Sequence, residues 1–243
     1  MISLPMSRLL LRAAKAKSLG EVLCLGRQHV EIPREGLIER AQEEGLELTG
    51  DLPAVCDDHA LFRALGARSL QSLDRSGYEG ADIVADLNEA IVPEFDGKFD
   101  YIVDGGTFDH LFNLPAAFAN VVRMLKEHGR IIHWNAASNY TGMAYLKYSA
   151  DIFYDYYMSN GFASCTCHLA VCDLAEMHEP LELHRWTGHN GLFRTPRSVM
   201  IIVEAQKSPA ASWNRIPTQQ YYRDESLPQG QNVPPFQMVE ILR

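Results

Sequence analysis

Phe99-Asp100-Tyr101-Ile102-Val103-Asp104-Gly105-Gly106-Thr107-Phe108-Asp109-His110-Leu111-Phe112-Asn113 is the stretch whose reading decides the fold. Phe99 to Val103 is apolar apart from its entry residue Asp100, the pattern of a strand covered on both faces of a parallel sheet. Gly105, Gly106 and Thr107 end that run. Leu114 to Leu125 then carries apolar residues at helical spacing, and His128-Gly129 offers a glycine suited to a left-handed cap. Strand, glycine turn and helix in this order belong to a doubly wound α/β sheet, whose ligand crevice lies beside the carboxyl ends of its strands.

Working outward, the same alternation continues. Upstream, Glu21-Val22-Leu23-Cys24-Leu25-Gly26 reads as a buried parallel strand, Arg68 to Leu73 as a second strand ending at Asp74, and Ala81 to Leu87 as a third. Short helices are expected over Arg34 to Glu44 and over Asp57 to Leu65, with Asp57 or Asp58 as N-cap of the latter. Downstream, Arg130 to Trp134 reads as a fifth strand, Tyr145 to Asn160 as a helix ended by Gly161, and Phe162 to Cys172 and Ser198 to Glu204 as two closing strands. His184 to Gly191 reads as a polar loop between them. Residues 1–20, with four Lys/Arg and no acid, read as an amphipathic lead-in helix rather than a transit peptide. The domain expectation is one α/β unit over 1–207, with a helical insertion at about 33–66. A Pro/Gln-rich extended tail follows over 208–243, with Met238 to Leu242 a short final element.

Composition narrows the function classes. The 243 residues carry a formal net charge of −9 and no long Lys/Arg run, which disfavours a nucleic-acid partner. No apolar run reaches the length a membrane helix needs, so no membrane partner is expected. Five cysteines, an odd number, fit a reducing cytoplasm better than a disulfide framework. Cys165 and Cys167, with His168 and Cys172 near, lack a second ligand pair, and no metal is expected. The sequence leaves the oligomeric state open, a homodimer included.

The stretch Phe99 to Asn113, followed by Leu114 to Leu125 and by Lys126-Glu127-His128-Gly129-Arg130-Ile131-Ile132-His133, resembles the fourth strand, its loop and the passage into strand five of the class I S-adenosylmethionine-dependent methyltransferases. The similarity runs from about Val22 to Glu204. It implies a Rossmann-like, mostly parallel sheet of seven strands with the last antiparallel, and S-adenosyl-L-methionine as cofactor. One departure is plain: the loop after the first strand, Gly26-Arg27-Gln28-His29-Val30, has a single glycine where the family has two or three. Asp74 also lies 48 residues after Gly26, a long spacing that the inserted helices account for.

Carried over position by position, the resemblance implies cofactor contacts from Gly26, Arg27, Gln28, Asp74, Asp86, Leu87, Asp104, Gly105 and Gly106. Asp74 would accept hydrogen bonds from ribose hydroxyls, and its other reading is a turn residue before Arg75-Ser76-Gly77. Asp86 and Leu87 fall where the family meets the adenine amino group; a strand-end Asp explains the pattern as well. Asp104, Gly105 and Gly106 would hold the amino-acid end of the cofactor, while a tight turn also explains the glycines.

Methyl transfer needs alignment and, for a hydroxyl acceptor, a base. Asp109, His110 and His133 are the catalytic candidates, with Asn135 a weaker one. Tyr140, Tyr145 and Tyr148 open an aromatic-rich stretch suited to an acceptor pocket. The expected function is methyl transfer to a small-molecule or glycan-like substrate. The alternative is a non-catalytic methyltransferase-like partner that no longer binds the cofactor.

Overall fold

The computed structural model describes residues 2–30, 32–172, 181–188, 192–223 and 236–243. In chain order the elements are α1 (Leu4–Ala16), β1 (Glu21–Leu25), β2 (Ile32–Pro33), α2 (Arg34–Glu44), β3 (Val55–Cys56), α3 (Asp58–Ala64), β4 (Ser69–Asp74), β5 (Ile83–Val84), β6 (Phe99–Asp104), α4 (Leu114–Met124), β7 (Leu125–Ser138), α5 (Ala150–Ser159), β8 (Ser164–Cys172), β9 (Leu181–Trp186), β10 (Ser198–Gln206), α6 (Gln220–Arg223) and β11 (Phe236–Leu242). Local chemistry explains several of the boundaries. Asp57 caps α3 by accepting from the Ala60 amide at 2.7 Å, and Asn113 caps α4 by accepting from the Ala116 amide, with Pro115 in the first turn.

The main sheet runs β11-β9-β8-β10-β7-β6-β1-β4-β5. β5, β4, β1, β6 and β7 are parallel, and β10 lies antiparallel between β7 and β8. This is the doubly wound, Rossmann-like and mostly parallel α/β sheet that the resemblance implies. The strand count is a correction: among the described residues the sheet has nine strands, not seven. β9 pairs with β8 and β11 with β9, both antiparallel. Leu181–Trp186 forms a strand because Leu181 and Leu183 alternate into the core, a period hidden by the polar His184-Arg185 that follows. Of the loop expected over His184 to Gly191, residues 189–191 lie outside the described residues.

A second correction concerns the end of α4. The helix stops at Met124 and β7 begins at once; His128, not Gly129, takes the left-handed conformation, at φ 60°. Gly129 is needed for a different reason: a Cβ there would lie 2.9 Å from the Lys126 carbonyl oxygen and 3.2 Å from that of Phe99.

Each face of the sheet carries its own core. α1, with Met6, Leu9, Leu10 and Ala13 on one face, joins α2 and α3 over Val22, Cys24, Val103 and Trp134. α4 and α5 cover the other face through Phe118, Val121, Phe153 and Tyr157, against Leu23, Ile102 and Ile131. Burial of such faces is the main stabilising term. The described residues after β10 stay close to the domain. Asn160 accepts from the Ser212 amide and hydroxyl and exchanges hydrogen bonds with the Arg215 backbone, Tyr156 donates to the Trp213 carbonyl, and Asp155 accepts from the Gln220 amide. Arg12 of α1 pairs with Glu240 of β11. Residues 224–235 of the expected tail lie outside the described residues.

Candidate functional site

β1 connects through α2 and α3 to β4 on one side, while β6 lies on its other side. The carboxyl ends of β1, β4 and β6 therefore border a topological switch point, where open α/β sheets take their ligands. Gly26 follows β1 with φ 71°, a left-handed conformation that a glycine adopts without strain. A Cβ at Gly26 would lie 3.7 Å from Asp74 Oδ2 and 3.1 Å from Thr107 Oγ1, so the ends of β4 and β6 converge on this glycine.

Asp74 is half-buried, and among the described residues only its Oδ1 is hydrogen-bonded, accepting from the Ser76 amide at 3.2 Å. Its turn role therefore leaves Oδ2 on the side of Gly26. Asp86 is committed more fully. Its Oδ1 accepts from the backbone and side-chain amides of Asn88, and Arg75 lies 3.5 Å from Oδ2; the amide hydrogen bond above all holds its carboxyl below the usual range. Leu87 is buried, and its carbonyl accepts from Asn120 Nδ2.

The β6 side is built differently. Asp104 is fully buried, with Oδ1 accepting from the Thr107 and Phe108 amides and Oδ2 from Asn135 Nδ2 at 2.6 Å and His133 Nδ1 at 2.7 Å. With Nδ1 carrying the proton, His133 Nε2 accepts from Tyr157 OH at 2.6 Å. Phe108, Phe118 and Phe153 surround the imidazole. Burial pushes the Tyr157 hydroxyl well above its ordinary pKa, so it stays protonated and donates. The structure thus brings Asp104, His133 and Asn135 together, but as a sealed network. None of the three faces solvent or an open crevice.

Gly105 is crowded by its own chain. A Cβ there would overlap the Gln28 side-chain oxygen and lie 2.8 Å from Trp134 Nε1. Gln28 is buried, its Nε2 donating to the carbonyls of Leu25 at 3.0 Å and Gly26 at 3.4 Å. Trp134 Nε1 is buried and has no hydrogen-bond partner among the described residues. Arg27 is held by α3, donating to Asp58 Oδ1 and His59 Nε2, both at 3.2 Å. Thr107, which the sequence reading passed over as part of a turn, donates its hydroxyl to the Leu25 carbonyl at 2.7 Å and ties the ends of β1 and β6 together. No motif signals such a bridge, because it depends on two loops meeting.

Asp109 and His110 share a single 3-10 turn, Phe108–His110, yet differ in setting. His110 is exposed. Asp109 is buried, with both oxygens accepting from the Ala136 amide at 3.0 Å, and Gly106 lies beside it. Burial, reinforced by the neighbouring Asp104, pushes its carboxyl up to about 7. The three tyrosines do not form one wall. Tyr140 OH meets Cys172 Sγ at 3.6 Å, Tyr148 is buried and donates to the Phe108 carbonyl, and Tyr145 is exposed against the exposed Phe112. A cavity of about 370 Å³ opens at the end of β7, lined by Ser138, Tyr148, Ser149, Arg194 and Thr195 among others.

Among the described residues, no three His, Cys, Asp or Glu side chains are placed to hold a metal ion, and no helix is long and apolar enough to cross a membrane.

No protein-family model matches the sequence, and no curated protein matches it. Solved structures do. A SAM-dependent methyltransferase from Archaeoglobus fulgidus is 12% identical, over 84% of this chain and 95% of that one, with a TM-score of 0.46. A SAM-dependent methyltransferase from Thermotoga maritima, described as a possible histamine N-methyltransferase, is 12% identical over 85% and 90%, at 0.46. The trans-methyltransferase CalH in complex with SAH is 15% identical over 83% and 55%, again at 0.46. These are likenesses of fold.

Proposed function

We propose that this chain binds S-adenosylmethionine at the ends of β1 and β4 and transfers its methyl group to a small hydroxylated acceptor. The observation that carries this reading is the uncommitted Asp74 oxygen beside the left-handed Gly26, at the switch point of the sheet. A carboxylate there is matched to the paired hydroxyls of a ribose. The bound cofactor would supply an already activated methyl group. Asp74 would accept from the ribose, with the segment around Asp86 and Leu87 bordering the base.

The remaining work is alignment and proton removal. Asp109, raised to about 7, is poised to take a proton from an acceptor hydroxyl near neutral pH. His110, exposed on the same turn, is the second candidate base. His133, sealed behind Phe108, holds the loop and touches no acceptor. Hydroxyls and one guanidinium around the cavity at Ser138 and Arg194 favour a glycan-like or otherwise polyhydroxylated substrate.

The packing of Gln28 on Gly105 favours a second reading, a non-catalytic domain that has closed its cofactor crevice. Calorimetric titration with S-adenosylhomocysteine and with 5′-methylthioadenosine separates the two. Methyl transfer expects binding of at least the thioether nucleoside, weakened roughly 10- to 100-fold in Asp74→Ala, the loss of one or two charge-assisted hydrogen bonds. Silence toward both ligands at millimolar concentration supports the non-catalytic reading.

A further inference from the structure

We propose that the Gln28 carboxamide is an intramolecular occupant of the cofactor's amino-acid seat, so that a cofactor must displace it to bind. The inference rests on the methyl-transfer reading above. Three observations meet at one point. Gln28 is buried and fills the volume that the missing side chain of Gly105 leaves. Its Nε2 donates to two backbone carbonyls at the end of β1, Leu25 and Gly26. Next to its oxygen, against the same face of Gly105, stands the buried indole N–H of Trp134, which has no hydrogen-bond partner among the described residues.

Removing the carboxamide would therefore uncover acceptors at the end of β1 and a buried donor beside Gly105. An ammonium group satisfies the first and a carboxylate the second, the pair of charges on an α-amino acid. The carboxamide, donor at one end and acceptor at the other, is their neutral counterpart. Buried polar groups of this kind require partners, so the seat is filled from within until a ligand takes it over. A chain with three glycines in this loop would have no side chain to fill the seat; this chain has Gln28.

The test compares two ligands on two variants. S-adenosylhomocysteine carries the amino-acid end and 5′-methylthioadenosine lacks it. In Gln28→Ala, and in Gln28→Ser as a smaller perturbation, calorimetry is expected to show S-adenosylhomocysteine binding at least tenfold tighter than in the wild type, with methylthioadenosine binding unchanged. In the wild type, the Gln28 side-chain amide signals in ¹⁵N-correlated NMR spectra should move on addition of S-adenosylhomocysteine and stay in place with methylthioadenosine. Weaker S-adenosylhomocysteine binding in both variants would make Gln28 a cofactor contact and overturn the proposal. Unchanged binding in the folded variants, with methylthioadenosine still bound, would overturn it while leaving the cofactor reading intact. Failure of both ligands on every protein would overturn both.

Discussion

Two aspartates end strands on either side of β1, and they have opposite fates. Asp74 closes β4 half-buried, with one oxygen held by a local amide and the other facing Gly26. Asp104 closes β6 in full burial, with four donors from Thr107, Phe108, Asn135 and His133 on its two oxygens. The same side chain at the same place in a strand leaves one oxygen turned toward Gly26 in one case and is a keystone in the other. What differs is the neighbourhood. β4 lies next to the short edge strand β5, where solvent reaches the turn. β6 is central and roofed by Phe108, Phe118 and α5.

The widest test of that contrast is to truncate both. Asp104→Ala leaves four donors without their acceptor inside the core and is expected to lower unfolding stability by about 3–5 kcal/mol, the scale of breaking a buried polar pair. Asp74→Ala leaves an exposed turn amide that water can satisfy, and its stability should stay within about 0.5 kcal/mol of the wild type. Urea midpoints measured side by side decide it. Equal losses would erase the distinction between the two ends.

Asp109 sharpens the comparison with a pH dependence. A carboxyl raised by burial keeps its proton in the folded chain while the unfolded chain gives it up, so between about pH 4 and 7 stability falls as pH rises. The contribution is fully present below the ordinary carboxylate range and gone above about 7. Screening at its rim reduces the effect to on the order of 2 kcal/mol. Asp109→Asn keeps an acceptor for the Ala136 amide but cannot ionise. The wild-type-minus-variant difference should therefore slope downward across that window, as followed by thermal unfolding at a series of pH values. A flat difference would place Asp109 in contact with solvent and remove its claim as a base tuned to neutral pH.

Most of the fold was legible in the sequence, because apolar runs and helical spacing report burial directly. The boundaries of β1, β4, β6, α2 and α3 fall within a residue or two of their patterns. β9 escaped because only Leu181 and Leu183 point inward among polar neighbours. The left-handed residue at His128 escaped because glycine, the statistical choice, was needed at position 129 for a close backbone approach. The site was legible by residue type but not by role. Asp104, Gln28 and Gly105 stood out as chemistry near a crevice, yet whether they face a ligand or each other depends on contacts between loops far apart in the chain. Residues 28 and 105, or 107 and 25, carry no mark of their partnership in a linear pattern.

The smallest expected effect tests the seam between the two sides. Thr107 donates to the Leu25 carbonyl, which also accepts from Gln28, so Thr107→Val removes a hydrogen bond without stranding the acceptor. The cost should be about 1 kcal/mol or less. The replacement keeps the side-chain shape, and the Thr107 amide still donates to Asp104. Amide exchange should therefore quicken at the Gly105–Gly106 turn while the buried β6 amides keep their protection. Faster exchange confined to the turn would show that the hydroxyl fastens the β6 loop to β1 while the buried network holds on its own. Faster exchange throughout β6 would mean that the sealed network leans on the Thr107 bridge, and that Asp74 and Asp104 end two parts of one cooperative site.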